Sequence, residues 1–259
     1  MKQWIAFYQQ HLLVLQGSFL LPSGALPKPD FCLALQPQAS IELAVFSQLP
    51  ELPGLQLWTD KEVRTLSTED LMLYGRARTL YAWYQQHRFC GYCGHPTEPM
   101  IRGAEIYAHC PNCQARHYPR VNPCIITVVT RGEDLLLAQG KRHRTGLYAA
   151  IAGFVDAGES AEQALVREVQ EEVGLEVYDQ QYLGSESWPF PQQLMLAYQC
   201  QCLPGELRLQ ASEILDARWF HYQNLPDIPP VQTIAGRMIR YIAKTMQEAK
   251  TMQVAPKTH

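Results

Sequence analysis

The sequence predicts an α/β protein built from more than one unit, and three observations carry that expectation. Downstream of Pro119, short apolar β runs alternate with helical patterns. Residues 88–118 are turn-rich and cysteine-rich. Before them, strand-like runs and one helical pattern give an α+β composition. The 259 residues are long for one domain and short for three. We therefore expect an N-terminal packing or dimerisation domain over 1–87, a cysteine-bearing segment over 88–118, a catalytic-sized domain over 119–250 and a loose tail over 251–259.

The elements are justified in chain order. HLLVLQGSFLLPSG (residues 11–24), DFCLALQP (30–37) and IELAVFSQLPEL (41–52) are apolar runs broken by Gly, Pro and Ser, and read as strands. Leu71, Tyr74, Leu80, Trp83 and Tyr84 then fall near helical spacing, with Ser67 or Thr68 to cap the start. CIITVVTR (124–131) and DLLLAQG (134–140) are β runs, SAEQALVREVQEEVG (160–174) is a helix and LMLAYQCQCL (194–203) alternates like a strand. SESWPFPQQ (185–193) reads as a loop, because Pro189 and Pro191 have no N–H to give a ladder. VQTIAGRMIRYIAKTMQEA (231–249) is a C-terminal helix.

Apolar residues make up 47%, enough to bury a core, and a net charge of −3 offers no whole-protein field for nucleic acid or anionic membrane. The basic run at Lys141, Arg142 and Arg144 is a local exception, ordinarily a solvated turn. No stretch reaches the roughly 18 apolar residues of a membrane span. The N-terminus lacks the continuous apolar core of a secretion signal, so we expect a cytoplasmic protein with no membrane partner.

Eight cysteines in that compartment are not expected to pair as disulfides. Cys90 with Cys93, and Cys110 with Cys113, form two C-x2-C knuckles separated by residues 94–109. That spacing suits one tetrahedral Zn²⁺ held by four thiolates, a closed shell and hence a structural metal. Cys32, Cys124, Cys200 and Cys202 are read as core or incidental.

On the helix over 160–174, Ser160 and Gln163 fit a capping box, Leu165, Val169 and Val173 form an apolar stripe, and Gly174 is placed to end it. Glu168, Glu171 and Glu172 stand at i, i+3 and i+4 and share one face. Their mutual repulsion is relieved by a hard divalent cation, which takes carboxylate and phosphate oxygens.

Gly153, Glu159, Arg167, Glu168, Val169, Glu171, Glu172, Gly174 and Leu175 stand in fixed register, and the stretch resembles the signature of the Nudix hydrolases at every defining position. The resemblance implies an α/β/α sandwich with a mixed sheet, and Mg²⁺- or Mn²⁺-dependent hydrolysis of a nucleoside diphosphate linked to another moiety. It implies Glu168 and Glu172 as principal metal ligands, and Glu171 as a further ligand or the residue that orients water. The backbone carbonyl of Ala152 and the off-helix Glu213 add ligands, or Glu213 a base. Arg167 completes the catalytic set by holding the glutamates, and Glu159 anchors the loop.

The cysteine knuckles, the joining stretch HYPRVNPCII and the later SESWPFPQQ together resemble the NADH pyrophosphatase subgroup of this family. There the later motif reads S-Q-P-W-P-F-P-x-S. Here Ser185 and Trp188–Pro191 are kept, while Glu186, Ser187 and Gln193 depart from it. The resemblance implies substrate contacts from Arg64, Tyr118, Phe154, Glu186, Trp188, Pro189, Phe190, Pro191, Gln192, Gln193 and Ala235, with Arg64 the weaker transfer because alignment there needs a gap. Phe154 would stack on adenine or nicotinamide. The implied reaction takes NADH or NAD⁺ to (reduced) nicotinamide mononucleotide and AMP, removes NAD caps from RNA 5′ ends, and is carried out by a homodimer. Lys141, Arg142 and Arg144, with Arg116 and Arg120, could steer an RNA body. Two alternatives stand beside it: hydrolysis of another nucleotide conjugate such as ADP-ribose, and a zinc-ribbon nucleic-acid-binding protein with a vestigial catalytic domain. Glu186 introduces a negative charge beside the expected pyrophosphate.

Overall fold

The computed structural model describes residues 2–35, 40–103, 105–141, 146–190 and 192–254, with residues 252–254 as backbone alone. It divides into two compact units, Met1–Val121 with Trp188–Gln192, and Asn122–Ser187 with Gln193–His259.

In the first unit, β1 (Gln3–Tyr8), β2 (His11–Leu15), β3 (Leu21–Pro22), β4 (Phe31–Ala34), β5 (Ile41–Phe46) and β6 (Leu55–Trp58) form a sheet in the order β4-β5-β1-β2-β6, with β3 beside β1. β1 and β5 are parallel. A short helix, α1 (Asp60–Val63), leads to the long α2 (Thr68–Gln86), whose N-cap is Ser67, accepting the Asp70 N–H at 3.1 Å. Ile5, Phe7, Leu12, Val14, Leu43 and Val45 pack with Leu71, Tyr74, Leu80 and Trp83 of α2. Trp4, Ala6, Leu13, Ala44 and Phe46, the alternate residues, form a second core on the opposite face. Burial on both faces erases alternation, which is why β1 was not legible as a strand. A ribbon of β7 (Glu98–Arg102), β8 (Glu105–His109) and β9 (Arg116–His117) completes the unit. The Trp83 indole N–H donates to the His117 carbonyl at 2.8 Å, tying ribbon to helix.

In the second unit, β10 (Asn122–Arg131), β11 (Asp134–Gly140), β12 (Ile151–Phe154), β13 (Val177–Trp188), β14 (Gln193–Cys202) and β15 (Ile214–His221) take the order β13-β14-β10-β11-β15, with β12 beside β10. β10 runs parallel to β14 and antiparallel to β11 and β12, a mixed sheet. Ile125 and Val129 meet Leu165, Val169 and Val173 of α3 (Ala161–Val173). The buried Ile126 and Val128 point to the other face, and α4 (Ile234–Val254) lies against β10 and β14. This is the α/β/α sandwich expected. Among the described residues no helix is long and apolar enough to cross a membrane.

Two elements differ from their sequence reading. β13 continues through Ser185–Trp188, part of the stretch read as a loop. It is an edge strand, so the proline that follows Trp188 ends it without depriving an inner ladder of a donor. The C-terminal helix starts three residues later than expected, where Thr233 Oγ1 accepts the Gly236 N–H at 3.1 Å, and it runs on to Val254.

Candidate active site

The site is built on α3. Ser160 Oγ accepts the Gln163 N–H at 3.2 Å and Gln163 Oε1 accepts the Ser160 N–H at 2.8 Å, so the capping box forms reciprocally. At the other end Gly174 takes φ 72, and its N–H donates to the Gln170 carbonyl at 3.1 Å. With Leu165, Val169 and Val173 in the core, the helix has no rotational freedom left. Its glutamate face is turned toward β12. There a Cβ on Gly153 would overlap the Glu168 carboxylate, so glycine is what lets strand and carboxylate meet.

Arg167 gathers the acids. Its Nε and Nη2 donate to both oxygens of Glu159 at 2.7 and 2.9 Å, Nη1 to Glu168 at 2.8 Å and to Glu171 at 3.2 Å, and Nη2 also to the Phe154 carbonyl at 2.9 Å. Glu159 in turn accepts the Asp156 N–H at 3.1 Å, which fixes the loop between β12 and α3. Among the described residues Glu172 receives no such cation, and it is only 6% exposed. Burial, with the charges of Glu168, Glu213 and Glu171 added, pushes its carboxyl up to about 8. Burial also raises Glu168, against the pull of Arg167. Glu213 stands in the turn before β15 with its carbonyl accepting the Lys141 N–H at 2.8 Å, and its charge is felt at both Glu168 and Glu172. Ala152 precedes Gly153 on β12, opposite Ile126.

Five acidic side chains, Glu159, Glu168, Glu171, Glu172 and Glu213, against the Arg167 guanidinium leave a partly buried excess of negative charge. Among the described residues no three of these carboxylates bring ligand oxygens within 4.8 Å of one another. A divalent cation is the group that would offset this charge. The donor set is all oxygen, as Mg²⁺ and Mn²⁺ prefer.

The two units divide the expected substrate residues between them. In the first, Arg64 follows α1 and sets its guanidinium over the Phe190 ring at 4.6 Å and the Trp188 ring at 5.6 Å. Tyr74 stacks on Phe190 at 6.0 Å, Pro189 is buried against Gly75, and both aromatic residues lie on the α2 core. Gln192 takes φ 40. Tyr118 is 46% exposed and leans on Tyr107 at 5.6 Å. In the second unit, Phe154 is 44% exposed on β12, Gln193 pairs with Asn122 at the start of β14, and Ala235 lies in the first turn of α4. Glu186 is ion-paired with Arg237 of α4, so its charge does not stand open. Pro191, Arg142 and Arg144 lie outside the described residues.

The four cysteines of the knuckles converge, their Sγ atoms all within 4.8 Å of one another and three pairs at 3.5 Å. That is far beyond a disulfide bond and near the roughly 3.8 Å edge of a tetrahedral Zn–thiolate site. The Tyr92 N–H lies 3.4 Å and His117 Nε2 3.3 Å from Cys90 Sγ, and the His95 N–H with the Asn112 side chain lowers the Cys93 thiol to about 6. These surroundings favour the thiolate at Cys93, while burial and the sulfurs of Cys110, Cys90 and Cys93 push the Cys113 thiol up to about 12. Cys124, Cys200 and Cys202 are buried, and Cys32 is exposed beside Glu42.

A NUDIX domain model matches residues 119–242. The NAD-capped RNA hydrolase NudC of Salmonella paratyphi C (strain RKS4594) is 44% identical over 241 residues, 91% of this chain and 91% of that one. The chain belongs to the Nudix hydrolase family. The NudC of Stutzerimonas stutzeri (strain A1501) is 46% identical over 175 residues, which span 67% of this Nudix hydrolase and 63% of its relative. A Nudix hydrolase from Nitrosomonas europaea superposes with TM-score 0.51 at 23% identity, over 66% of this chain and 96% of that one, and so shares the fold. The recognition made from the glutamate register is borne out, and with it an enzyme that cleaves phosphoric anhydride bonds. Sequence reasoning did not find Arg237. A single arginine on an amphipathic helix carries no signal until its partner, 51 residues earlier, is seen beside it.

Proposed function

We propose that this Nudix hydrolase cleaves the pyrophosphate of NADH and NAD⁺ to (reduced) nicotinamide mononucleotide and AMP, and the same bond in NAD-capped RNA. The observation that carries the reading is the α3 glutamate cluster, packed on Gly153 and gathered by Arg167. The similarity to NAD-capped RNA hydrolases of the NudC type supports the choice of substrate.

Glu168, Glu171, Glu172 and Glu213, with the Ala152 carbonyl, would hold Mg²⁺ or Mn²⁺. Such cations neutralise charge that develops on the phosphoryl oxygens. The chain's own groups do the rest. Arg167 keeps the carboxylates in register and stays off the substrate, because its donors are already committed to Glu159, Glu168, Glu171 and Phe154. Water oxygen bonds to phosphorus, the bridging P–O bond breaks toward the leaving phosphate, and a carboxylate of the cluster accepts the water proton. Phe154 offers an open ring face to a base. Within the first unit the Trp188–Phe190 loop is stiffened by Arg64 and Tyr74. The four cysteines, a closed thiolate shell, would hold one structural Zn²⁺.

The test is a hydrolysis panel of NADH, NAD⁺, ADP-ribose and NAD-capped RNA with Mg²⁺ or Mn²⁺. NADH ranking far below ADP-ribose would sink the substrate assignment. E172Q should abolish cleavage and keep binding. Absence of cleavage in both forms would instead favour a binding protein. A homodimer is proposed on the family resemblance, and sedimentation checks it.

A further inference from the structure

Glu186 lies at the end of the sheet where the chemistry sits. Gln193 pairs with Asn122 and Met195 with Cys124 across β14 and β10, and Cys124 pairs with Phe154 across β10 and β12. The start of β14 is therefore two strands from Phe154, beside the glycine that receives Glu168. β13 neighbours β14, and Glu186 stands near its end, two residues before Trp188. The Glu186 side chain is 11% exposed and its ionic partner is Arg237. Arg237 is itself held: its Nη1 donates to the Val231 and Gln232 carbonyls, both at 3.1 Å. One residue before it, a Cβ on Gly236 would overlap the Pro229 and Pro230 carbonyls, so the helix start has no slack.

We propose that Arg237 is a positioning residue for substrate selection: it pins Glu186 to the start of α4 and cancels its charge, keeping the carboxylate from opposing the substrate pyrophosphate. The inference rests on the dinucleotide reading above. A nearly buried carboxylate stripped of its cationic partner must find another or turn outward. A carboxylate freed at this end of the sheet would repel the pyrophosphate and attract the cationic nicotinamide ring of NAD⁺, which NADH lacks. In a partly solvated site, one such charge changes binding on the order of tenfold.

The test is a double-mutant cycle on the full chain: R237A, E186Q and the two together, with KM and kcat for NADH and NAD⁺. R237A should raise KM for NADH about tenfold, raise KM for NAD⁺ clearly less, and leave kcat within about threefold. E186Q placed on R237A should recover most of that loss, and E186Q should shift KM less in the wild-type background than in R237A. Added salt should narrow the R237A defect. Additive effects in the cycle, equal losses for NADH and NAD⁺, or a fall in kcat and melting temperature without recovery in the double variant would each overturn the proposal. The swap E186R/R237E separates charge from local fold, since it restores the pair without restoring either residue. If wild-type protein left NADH intact, the substrate reading would fall. The cycle run on ADP-ribose would still decide whether the pair acts on the pyrophosphate.

Discussion

Glu172 is a carboxyl that the fold keeps protonated. Its pKa is pushed up from 4.5 to about 8, chiefly by burial. The metal-free folded state therefore binds a proton that the unfolded chain has released. Stability conferred by that proton is present below about pH 4.5 and is lost as pH rises to about 8. The melting temperature of chelated protein should fall across that window, and E172Q should flatten the fall while lowering kcat by about a hundredfold or more. Thermal melts from pH 5 to 9 check the first, and steady-state kinetics the second. Cation binding needs the carboxylate ionised, so apparent Mg²⁺ affinity should climb through the same range. Gly153 acts through Glu168. G153A should leave the melting temperature within a few degrees, since a side-chain end can yield, and raise the Mg²⁺ concentration for half-activity by about tenfold. A Mg²⁺ titration of activity tests it, and an unchanged midpoint would count against Glu168 as a ligand. The glutamates were legible in sequence because i, i+3 and i+4 spacing fixes their face. The raised carboxyl of Glu172 was not, because burial is a property of what packs around it.

At the scale of elements, α3 is specified almost wholly by local chemistry. Ser160 and Gln163 start it, the Leu165–Val169–Val173 stripe docks it, and Gly174 stops it. S160A should cost about 1 kcal/mol. G174A should cost about 1–2 kcal/mol, because φ 72 is strained for alanine and its Cβ would come within 2.9 Å of Arg208 Cβ. Denaturant melts of the two variants measure both. β13 shows the reverse. SESW lacks a clean strand pattern, and it is extended because β14 offers it an edge. Glu186 gained its partner from α4, an element placed beside β13 only by the sheet between them. The aromatic loop had its residues read from sequence, while its clamps Arg64 and Tyr74 come from α1 and α2, more than 110 residues away.

For the whole molecule, the four-cysteine site and the helix core meet through Trp83, whose indole N–H donates to the His117 carbonyl. Stripping Zn²⁺ with a strong chelator should release about one equivalent per chain, lower the melting temperature and change tryptophan fluorescence. The N-terminal sheet should persist in far-UV circular dichroism because it keeps two cores of its own. Metal analysis and fluorescence together check this, and full unfolding on chelation would show that the sheet depends on the metal. The sequence alone determined the α/β class, the pairing of the two cysteine knuckles, the glutamate helix and the family, because each depends on residue type at short fixed spacing. Tertiary structure decided which carboxylate is buried, how Arg167 shares its donors among the acids, and that Glu186 is neutralised by Arg237. Those are consequences of proximity between distant segments, and charge and burial are felt through space rather than along the chain.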